Sequence, residues 1–234
     1  MKKIFLPILL TITLTSCSDI NNSSNNKTQA DDNVSSESQI ETKEVIPSKT
    51  LEQDKNVYVV FTDGAKKQLT FNQTDSDPIL LPDNEQIVYV RNQNKNGYDT
   101  KKIMLVNIND LKESVLTDQK PYKDGLDGTS DILRVDNPVL SIDGEYLLFT
   151  TEKYATANQL VKVNLKTGIW TDLFSAETFE QIDKGPYKGY FLVEQSAIED
   201  RGRDIYYRLI NESGEISMKF SDKESMIEFR NKIK

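Results

Sequence analysis

The chain of 234 residues has no histidine and only one cysteine, Cys17. Without histidine it cannot build a Ser–His–Asp or Cys–His catalytic arrangement, and it lacks the commonest metal ligand. The single cysteine excludes a disulfide within one chain. A Gly-rich phosphate loop and a Gly-x-Ser-x-Gly elbow are also missing. We therefore expect a protein that is not an enzyme and that needs no cofactor and no metal.

Positive charge is also scarce, because 29 Lys and Arg residues stand against 37 Asp and Glu residues, for a net charge of −8. An acidic surface repels phosphate backbones, so we expect no nucleic-acid binding. Carboxylate pairs remain the alternative for catalysis, since 37 acidic residues always supply some pairs. Carboxylates on a polar surface are, however, usually only solvated.

The chain begins with two lysines, an apolar run over residues 4–14 and small residues that end at Cys17. This order is typical of an export signal, and the apolar run is shorter than the about 20 residues that span a bilayer. The ending resembles the lipobox of bacterial lipoproteins, which implies a lipidated Cys17 as the membrane anchor. The alternative is an ordinary cleaved signal with an incidental cysteine. Ser18, where an aspartate would resemble the inner-membrane retention signal, favours an outer-membrane protein that faces the periplasm.

Residues 18–54 are rich in Asn, Ser, Thr, Glu and Gln and offer little apolar surface to bury. Such a composition predicts disorder. We expect three parts: a signal peptide over residues 1–16, a lipidated cysteine with a disordered tether over 17–54, and a folded domain over 55–234.

In the folded part, short β-rich runs are bounded by Gly, Asn, Asp and Pro, and helical periodicity is scarce. This pattern predicts an all-β fold. The sequence contains an internal repeat. The first copy has Asp77-Pro78 followed by Asp83-Asn84, and the second copy has Asn137-Pro138 followed by Asp143-Gly144. Both copies read as strand, tight turn and strand. The predicted strands cover residues 57–61, 68–71, 86–90, 102–108, 114–116, 145–150, 160–165, 170–174, 189–194, 204–210 and 215–220.

The repeat resembles the TolB-like (WD40-like) β-propeller repeat, with a Leu-Thr, a Pro-containing Asp-Gly turn and an apolar strand. It departs from that family at Leu80 and Leu140, where an aromatic is usual, and at Asn84 and Ile142 in the turns. The resemblance implies a β-propeller or partial propeller of about three to four four-stranded units, closed as a small ring or left as an open stack. A C-terminal helix with a capping box from Ser221 to Glu224 is also predicted. It either covers an exposed flank of the stack or, more simply, caps the end of the core.

Four connections between predicted strands are long, namely residues 91–101, 118–133, 152–158 and 195–203. In an up-and-down propeller blade they should gather on one face, and binding residues often lie on loops held by a rigid scaffold. Aspartates in residues 124–131 suggest calcium ligands, but the spacing does not match an EF-hand loop, and a plain acidic turn is the simpler interpretation. The predicted partner-binding residues on the long-loop face are Tyr98, Tyr122, Asp124, Asp127, Tyr154, Arg201 and Arg203.

The leading functional hypothesis is a lipid-anchored envelope protein that binds another envelope protein or a peptide through this face. Tyrosine and arginine are over-represented at interface hot spots, which supports the choice of residues. The alternatives are a toxin-immunity or hydrolase-inhibitor lipoprotein, a peptidoglycan- or carbohydrate-binding module, and a propeller enzyme.

Overall fold

Four antiparallel sheets follow one another along the chain in the computed structural model, which describes residues 44–95, 97–116, 134–154, 157–199 and 202–233. Within each sheet, strands adjacent in sequence are hydrogen-bonded neighbours. Sheet 1 contains β1 Pro47–Gln53, β2 Asn56–Phe61 and β3 Lys66–Gln68. Sheet 2 contains β4 Asp75–Leu80, β5 Gln86–Lys95, β6 Tyr98–Asn107 and β7 Glu113–Val115. Sheet 3 contains β8 Asp136–Leu140, β9 Tyr146–Tyr154, β10 Ala157–Asn164 and β11 Trp170–Ser175, and sheet 4 contains β12 Thr178–Gln181, β13 Phe191–Glu199, β14 Gly202–Ile210 and β15 Ile216–Phe220.

The sequence repeat corresponds to equal positions in sheets 2 and 3. Asp77 and Asn137, each before a proline, both have φ of 52° at a break in register between the first two strands. Asp and Asn tolerate this left-handed conformation better than most residues. The following turns have positive φ at Asn84 and Gly144, as the Asp-Asn and Asp-Gly dipeptides predict.

A second repeated feature, an asparagine side chain that hydrogen-bonds to the backbone, closes the turn after the third strand of sheets 2, 3 and 4. The side-chain oxygens of Asn107, Asn164 and Asn211 each accept backbone N–H groups of the turn, for example from Asn109 at 2.8 Å. An asparagine whose side chain bonds the backbone ahead of it stabilises a turn without help from the core. The three sheets therefore share their local construction as well as their strand order.

Hydrophobic cores lie between successive sheets. Val57 and Val59 of sheet 1 pack with Ile87 of sheet 2, and Val90 of sheet 2 packs in the same cluster as Phe149 of sheet 3. Sheets 3 and 4 share a core that contains Leu148, Leu160, Phe191 and Val193. Among the described residues no apolar cluster joins sheet 1 to sheet 4, so the arrangement is an open stack.

The last sheet is covered by helix α1, Lys223–Ile233. Its Met226, Phe229 and Ile233 pack on sheet 4, with the Phe229 ring 5.4 Å from Tyr187 and 5.3 Å from Phe220. This confirms the predicted terminal helix, which packs on the last sheet. The cap differs from the prediction, because Asp222 and not Ser221 accepts the N–H of Ser225, at 2.7 Å. No helix of the described residues is long and apolar enough to cross a bilayer.

Strand β1 lies inside residues 17–54, which the sequence assigns to the tether. Its sequence, PSKTLEQ, has no apolar alternation, and most of its side chains are exposed. It is held by backbone pairing with β2, where Thr50 lies opposite Val59. An edge strand of this kind gives no hydrophobic pattern, so the start of the folded part was placed too late along the chain.

Neighbouring sheets contact each other through their turns on one side of the stack. Near the turns that join first to second strands, Ile142 donates its backbone N–H to the side chain of Gln181, 3.1 Å away in sheet 4. Lys67 of sheet 1 donates to the carbonyl of Ile108, 2.6 Å away in sheet 2. We call this side of the stack the turn end, and we call the opposite side, where in sheets 2, 3 and 4 the second strands turn into the third strands, the hairpin end. In sheet 1 it is the turn between β1 and β2 that lies at the hairpin end, where the carbonyl of Lys55 accepts the N–H of Asp75 at 2.9 Å.

Candidate functional site

Three of the four predicted long loops are β-hairpins. The strands β5 and β6 pair as far as Lys95 and Tyr98, β9 and β10 as far as Tyr154 and Ala157, and β13 and β14 as far as Glu199 and Gly202. The prediction of long loops over residues 91–101, 152–158 and 195–203 was therefore wrong. The polar residues there showed no apolar alternation, but Asn96-Gly97 is a strong hairpin signal that could have revealed the first of them.

These hairpins reach beyond the outer strands of their sheets as two-stranded ribbons. In sheet 2 the last pair between β4 and β5 is Asp75 with Arg91, so the four residues after Arg91 in β5 extend past β4. At about 3.3 Å per residue, four residues project roughly 13 Å. Sheets 3 and 4 carry corresponding ribbons, because their longest strands are also the second and third. Three two-stranded ribbons therefore project from the hairpin end.

The predicted site residues fall on this end where they are described. Tyr98 begins β6, Tyr154 ends β9 and Arg203 is the second residue of β14. Arg201, Tyr122, Asp124 and Asp127 lie outside the described residues, as does the whole calcium candidate 124–131. The strands on either side of residues 117–133 both end at the hairpin end, since β7 leaves the sheet there and β8 enters it beside Thr150.

Arg203 is held at the base of its ribbon. Its guanidinium lies 2.9 Å from a carboxylate oxygen of Glu177 and donates to Ser196 at 3.0 Å. Glu177 also accepts from the side-chain amide of Asn158 of sheet 3, at 2.9 Å. More than half of the Arg203 side chain remains exposed. This contact joins sheets 3 and 4 at the hairpin end and leaves the Arg203 side chain partly available to a partner.

A buried charge network supports the ribbon of sheet 2. Arg91 lies 2.7 Å from Asp75, which is fully buried, and 2.8 Å from Glu113. It also donates to the hydroxyl of Tyr89 at 2.8 Å. Hydrogen bonds from Arg91 lower the pKa of Glu113, and burial raises the pKa of Tyr89. Neither group fits general acid–base work near neutral pH, because Glu113 stays ionised and Tyr89 stays protonated.

The hairpin end also exposes apolar side chains. Phe71 and Ile198 are the two most exposed large hydrophobic residues of the described chain, at 67% and 64%. Ile198 lies opposite Arg203, and Ile205 lies opposite Ser196 on the same face of the ribbon. Ile205 is half exposed. Such residues near an arginine combine the features that recur at protein interfaces.

A cavity of about 220 Å³ lies at the turn end, between sheets 3 and 4. No sequence signal pointed to it, because its residues come from turns and strands that are distant in sequence. We call it the turn-end pocket. Its lining is Ser141, Asp143, Glu145, Tyr146, Leu148, Lys162, Leu173, Gln181, Phe191 and Glu212. Among the described residues, no group of histidine, cysteine, aspartate and glutamate side chains is arranged to hold a metal ion.

Comparison with family models matches residues 1–18 to the prokaryotic membrane lipoprotein lipid attachment site, which includes Cys17. The chain is a lipoprotein. The predicted lipobox is thereby confirmed, and with it an anchor in the cell envelope. Comparison with the sequences of curated proteins gives no significant match.

Among solved structures, the lipoprotein is similar to dipeptidyl peptidase 4 of Porphyromonas gingivalis, with a TM-score of 0.51 and 12% identity over 76% of this chain and 32% of that one. It is also similar to TolB of Acinetobacter baumannii, with a TM-score of 0.46 and 18% identity over 76% and 41%. The chain thus spans less than half the length of these proteins. At such identities the likeness concerns the fold alone.

The fold class predicted from the sequence is confirmed: the lipoprotein is an all-β partial propeller with a short C-terminal helix. The described part of the chain forms three four-stranded sheets and one three-stranded sheet. Of the two arrangements that the repeat allowed, the described residues form the open stack.

Proposed function

We propose that this lipoprotein is a non-catalytic binding protein that recognises a protein or peptide partner of the envelope through its hairpin end. The observation that carries the proposal is the set of three ribbons that project from one end of a rigid stack. They bring Tyr98, Tyr154 and Arg203 to the same end, together with the exposed Ile198. We further propose that the anchor holds the protein at the outer membrane, facing the periplasm.

The charge networks support a non-catalytic role. The carboxylates of Asp75, Glu113 and Glu177 are each engaged by an arginine, so they are poor candidates for a catalytic base. Their positions at the ribbon bases fit a structural task, since a two-stranded ribbon is only marginally stable by itself.

Site-specific photo-crosslinking in the native envelope tests the proposal. A photoreactive amino acid is placed at Tyr98, Tyr154 or Ile198 at the hairpin end, and at Asp110 or Lys166 at the turn end as matched controls. We expect one common partner band from the hairpin-end positions and no capture of that partner from the controls. Purification and mass spectrometry of the band identify the partner as a protein or peptide.

Two results would contradict the proposal. The first is a partner captured only from Asp110 and Lys166, which would move recognition to the turn end. The second is turnover of a peptide or glycan substrate by the purified lipoprotein, which would make it an enzyme. Capture of cell-wall glycan in place of a protein would favour the carbohydrate-binding alternative.

A further inference from the structure

The turn-end pocket has an apolar floor and a charged rim. Leu148 and Phe191, both almost fully buried, form the floor together with Leu173. The rim is built by two sheets, because Asp143 and Glu145 belong to the turn before β9 and Glu212 belongs to the turn after β14. The pocket therefore lies between neighbouring sheets and is lined by turns of both.

Three carboxylates and one ammonium group line the rim. The ammonium of Lys162 is paired with Glu212 and lies 4.8 Å from the centre of the Tyr146 ring. Among the residues that the structure describes, neither Asp143 nor Glu145 forms an ion pair. Three negative charges less one positive charge leave the lining with an excess of two negative charges.

Asp143 is fixed in place as an anion. Its carboxylate accepts hydrogen bonds from the hydroxyl of Ser141 and from the backbone N–H of Glu145, the latter at 3.0 Å. The Ser141 hydroxyl in turn accepts the backbone N–H of Tyr146 at 3.0 Å. The bond from Ser141 lowers the pKa of Asp143. The carboxylate is thus ionised and held in position before any ligand arrives.

We propose that the turn-end pocket binds the basic side chain, lysine or arginine, of a peptide or protein. Such a side chain has an apolar stem and a cationic head, so its stem can lie on an apolar surface while its head contacts charged groups. Of the apolar lining, the partly exposed Leu173 offers a surface to the stem, and Asp143 and Glu145 suit the head. The pocket is smaller than the about 300–1,000 Å³ of small-molecule sites, which favours a single side chain as its occupant.

This site is separate from the one proposed above, because it lies at the opposite end of the stack. Its existence does not depend on recognition at the hairpin end. An anionic ligand would face the negative excess of the rim, and a neutral apolar ligand would leave that excess uncompensated. The chemistry therefore favours a cationic head in particular.

Ligand-observed saturation-transfer NMR tests the proposal with the full lipidated protein in detergent micelles. The probes are N-acetyl-lysine amide and N-acetyl-arginine amide, with N-acetyl-norleucine amide as the neutral probe with a similar stem. We expect binding of both cationic probes that weakens as salt is raised, and several-fold weaker binding of the norleucine probe. Equal binding of all three probes, or no binding of the cationic probes, would overturn the proposal.

Matched variants locate the binding. Glu145→Gln removes one rim charge, and Glu85→Gln makes the same change at the equivalent turn position of sheet 2, outside the pocket. Ion pairs near a surface are typically worth about 0.2–1 kcal/mol, so we expect Glu145→Gln to weaken the cationic probes by about 1.5- to 5-fold and Glu85→Gln to leave them unchanged. The same loss in both variants would mean that the probes respond to general surface charge, and it would overturn the proposed site.

Discussion

Gly144 shows how one residue combines a backbone requirement with a packing requirement. Its φ is +73°, and a Cβ atom at this position would lie 2.7 Å from Cγ of Pro82 in the equivalent turn of sheet 2. Positive φ costs an L-residue about 1–2 kcal/mol relative to glycine, and the contact with Pro82 adds to this cost. The equivalent turns of sheets 2 and 3 therefore touch at a point where only glycine fits.

Gly144→Ala is expected to lower the free energy of unfolding by about 2–4 kcal/mol, because it adds overpacking to backbone strain. Gly214→Ala is the matched control, since its φ is +88° and no atom lies within 4 Å of the added methyl group. The control should cost only about 1–2 kcal/mol. Urea denaturation followed by circular dichroism measures both, and equal losses would show that Pro82 moves aside freely.

Glu113 should make stability depend on pH. Its pKa is lowered from the ordinary value of 4.5 by hydrogen bonds from Arg91. The stabilisation is therefore present above the ordinary pKa and is lost as pH falls through it towards the lower folded value. We expect Glu113→Gln to cost about 1–2 kcal/mol at pH 7 and progressively less below about pH 4.5. Urea denaturation across this pH range, with the exposed Glu85→Gln as control, would contradict the assignment if the cost were independent of pH.

At the scale of the element, the break in register between β8 and β9 depends on a left-handed residue before a proline. Asn137 has φ of 52°, and its side chain is exposed, so its role is to permit this backbone conformation. Asn137→Ala should lower the free energy of unfolding by about 1 kcal/mol, and Asn137→Gly should cost less or nothing. Thermal denaturation of both variants gives the comparison. A glycine variant less stable than the alanine variant would show that the side chain itself matters.

The sequence predicts elements well where apolar side chains line a strand that is buried between neighbouring sheets. The strands that supply the cores, such as β5 with Ile87, Val88 and Val90, were found from their apolar residues. Strand β1 and the ribbons were missed, because backbone pairing and polar contacts hold them and leave no such pattern. For the same reason the hairpin end was predicted as the place of Tyr98 and Tyr154, but with loops where the structure has strands.

The turn-end pocket could not be predicted from the sequence, for a different reason. Asp143 and Glu212 are far apart along the chain, and their meeting depends on the way sheets 3 and 4 stack. The sequence repeat indicated the strands and turns of sheets 2 and 3 but not the pocket between two sheets. Features inside one repeat were therefore predictable, whereas features shared by neighbouring repeats needed the structure.

At the scale of the whole molecule, an open stack has two terminal sheets, sheet 1 and sheet 4, and each has an outer face with no neighbouring sheet. One face of sheet 4 is covered by α1, whereas the outer face of sheet 1 is covered by polar contacts, such as the ammonium of Lys66 4.0 Å from the centre of the Tyr58 ring. In a linear array each layer contacts only its neighbours, so the layers at the ends need their own covering. The helix and the polar face serve this purpose here.

This architecture predicts that a mutation which destabilises one terminal sheet leaves the other terminal sheet unaffected. Phe229→Ala removes a ring that contacts Tyr187 and Phe220, and it should speed amide hydrogen exchange in sheet 4 several-fold while sheet 1 is unchanged. Ile227→Ala, on the more exposed side of the same helix, is the control and should have little effect. A closed ring would bring sheet 1 against sheet 4, and faster exchange in both sheets of the Phe229→Ala variant would contradict the open stack. The measurement needs the full chain, because β1 and α1 lie at opposite ends of the folded part.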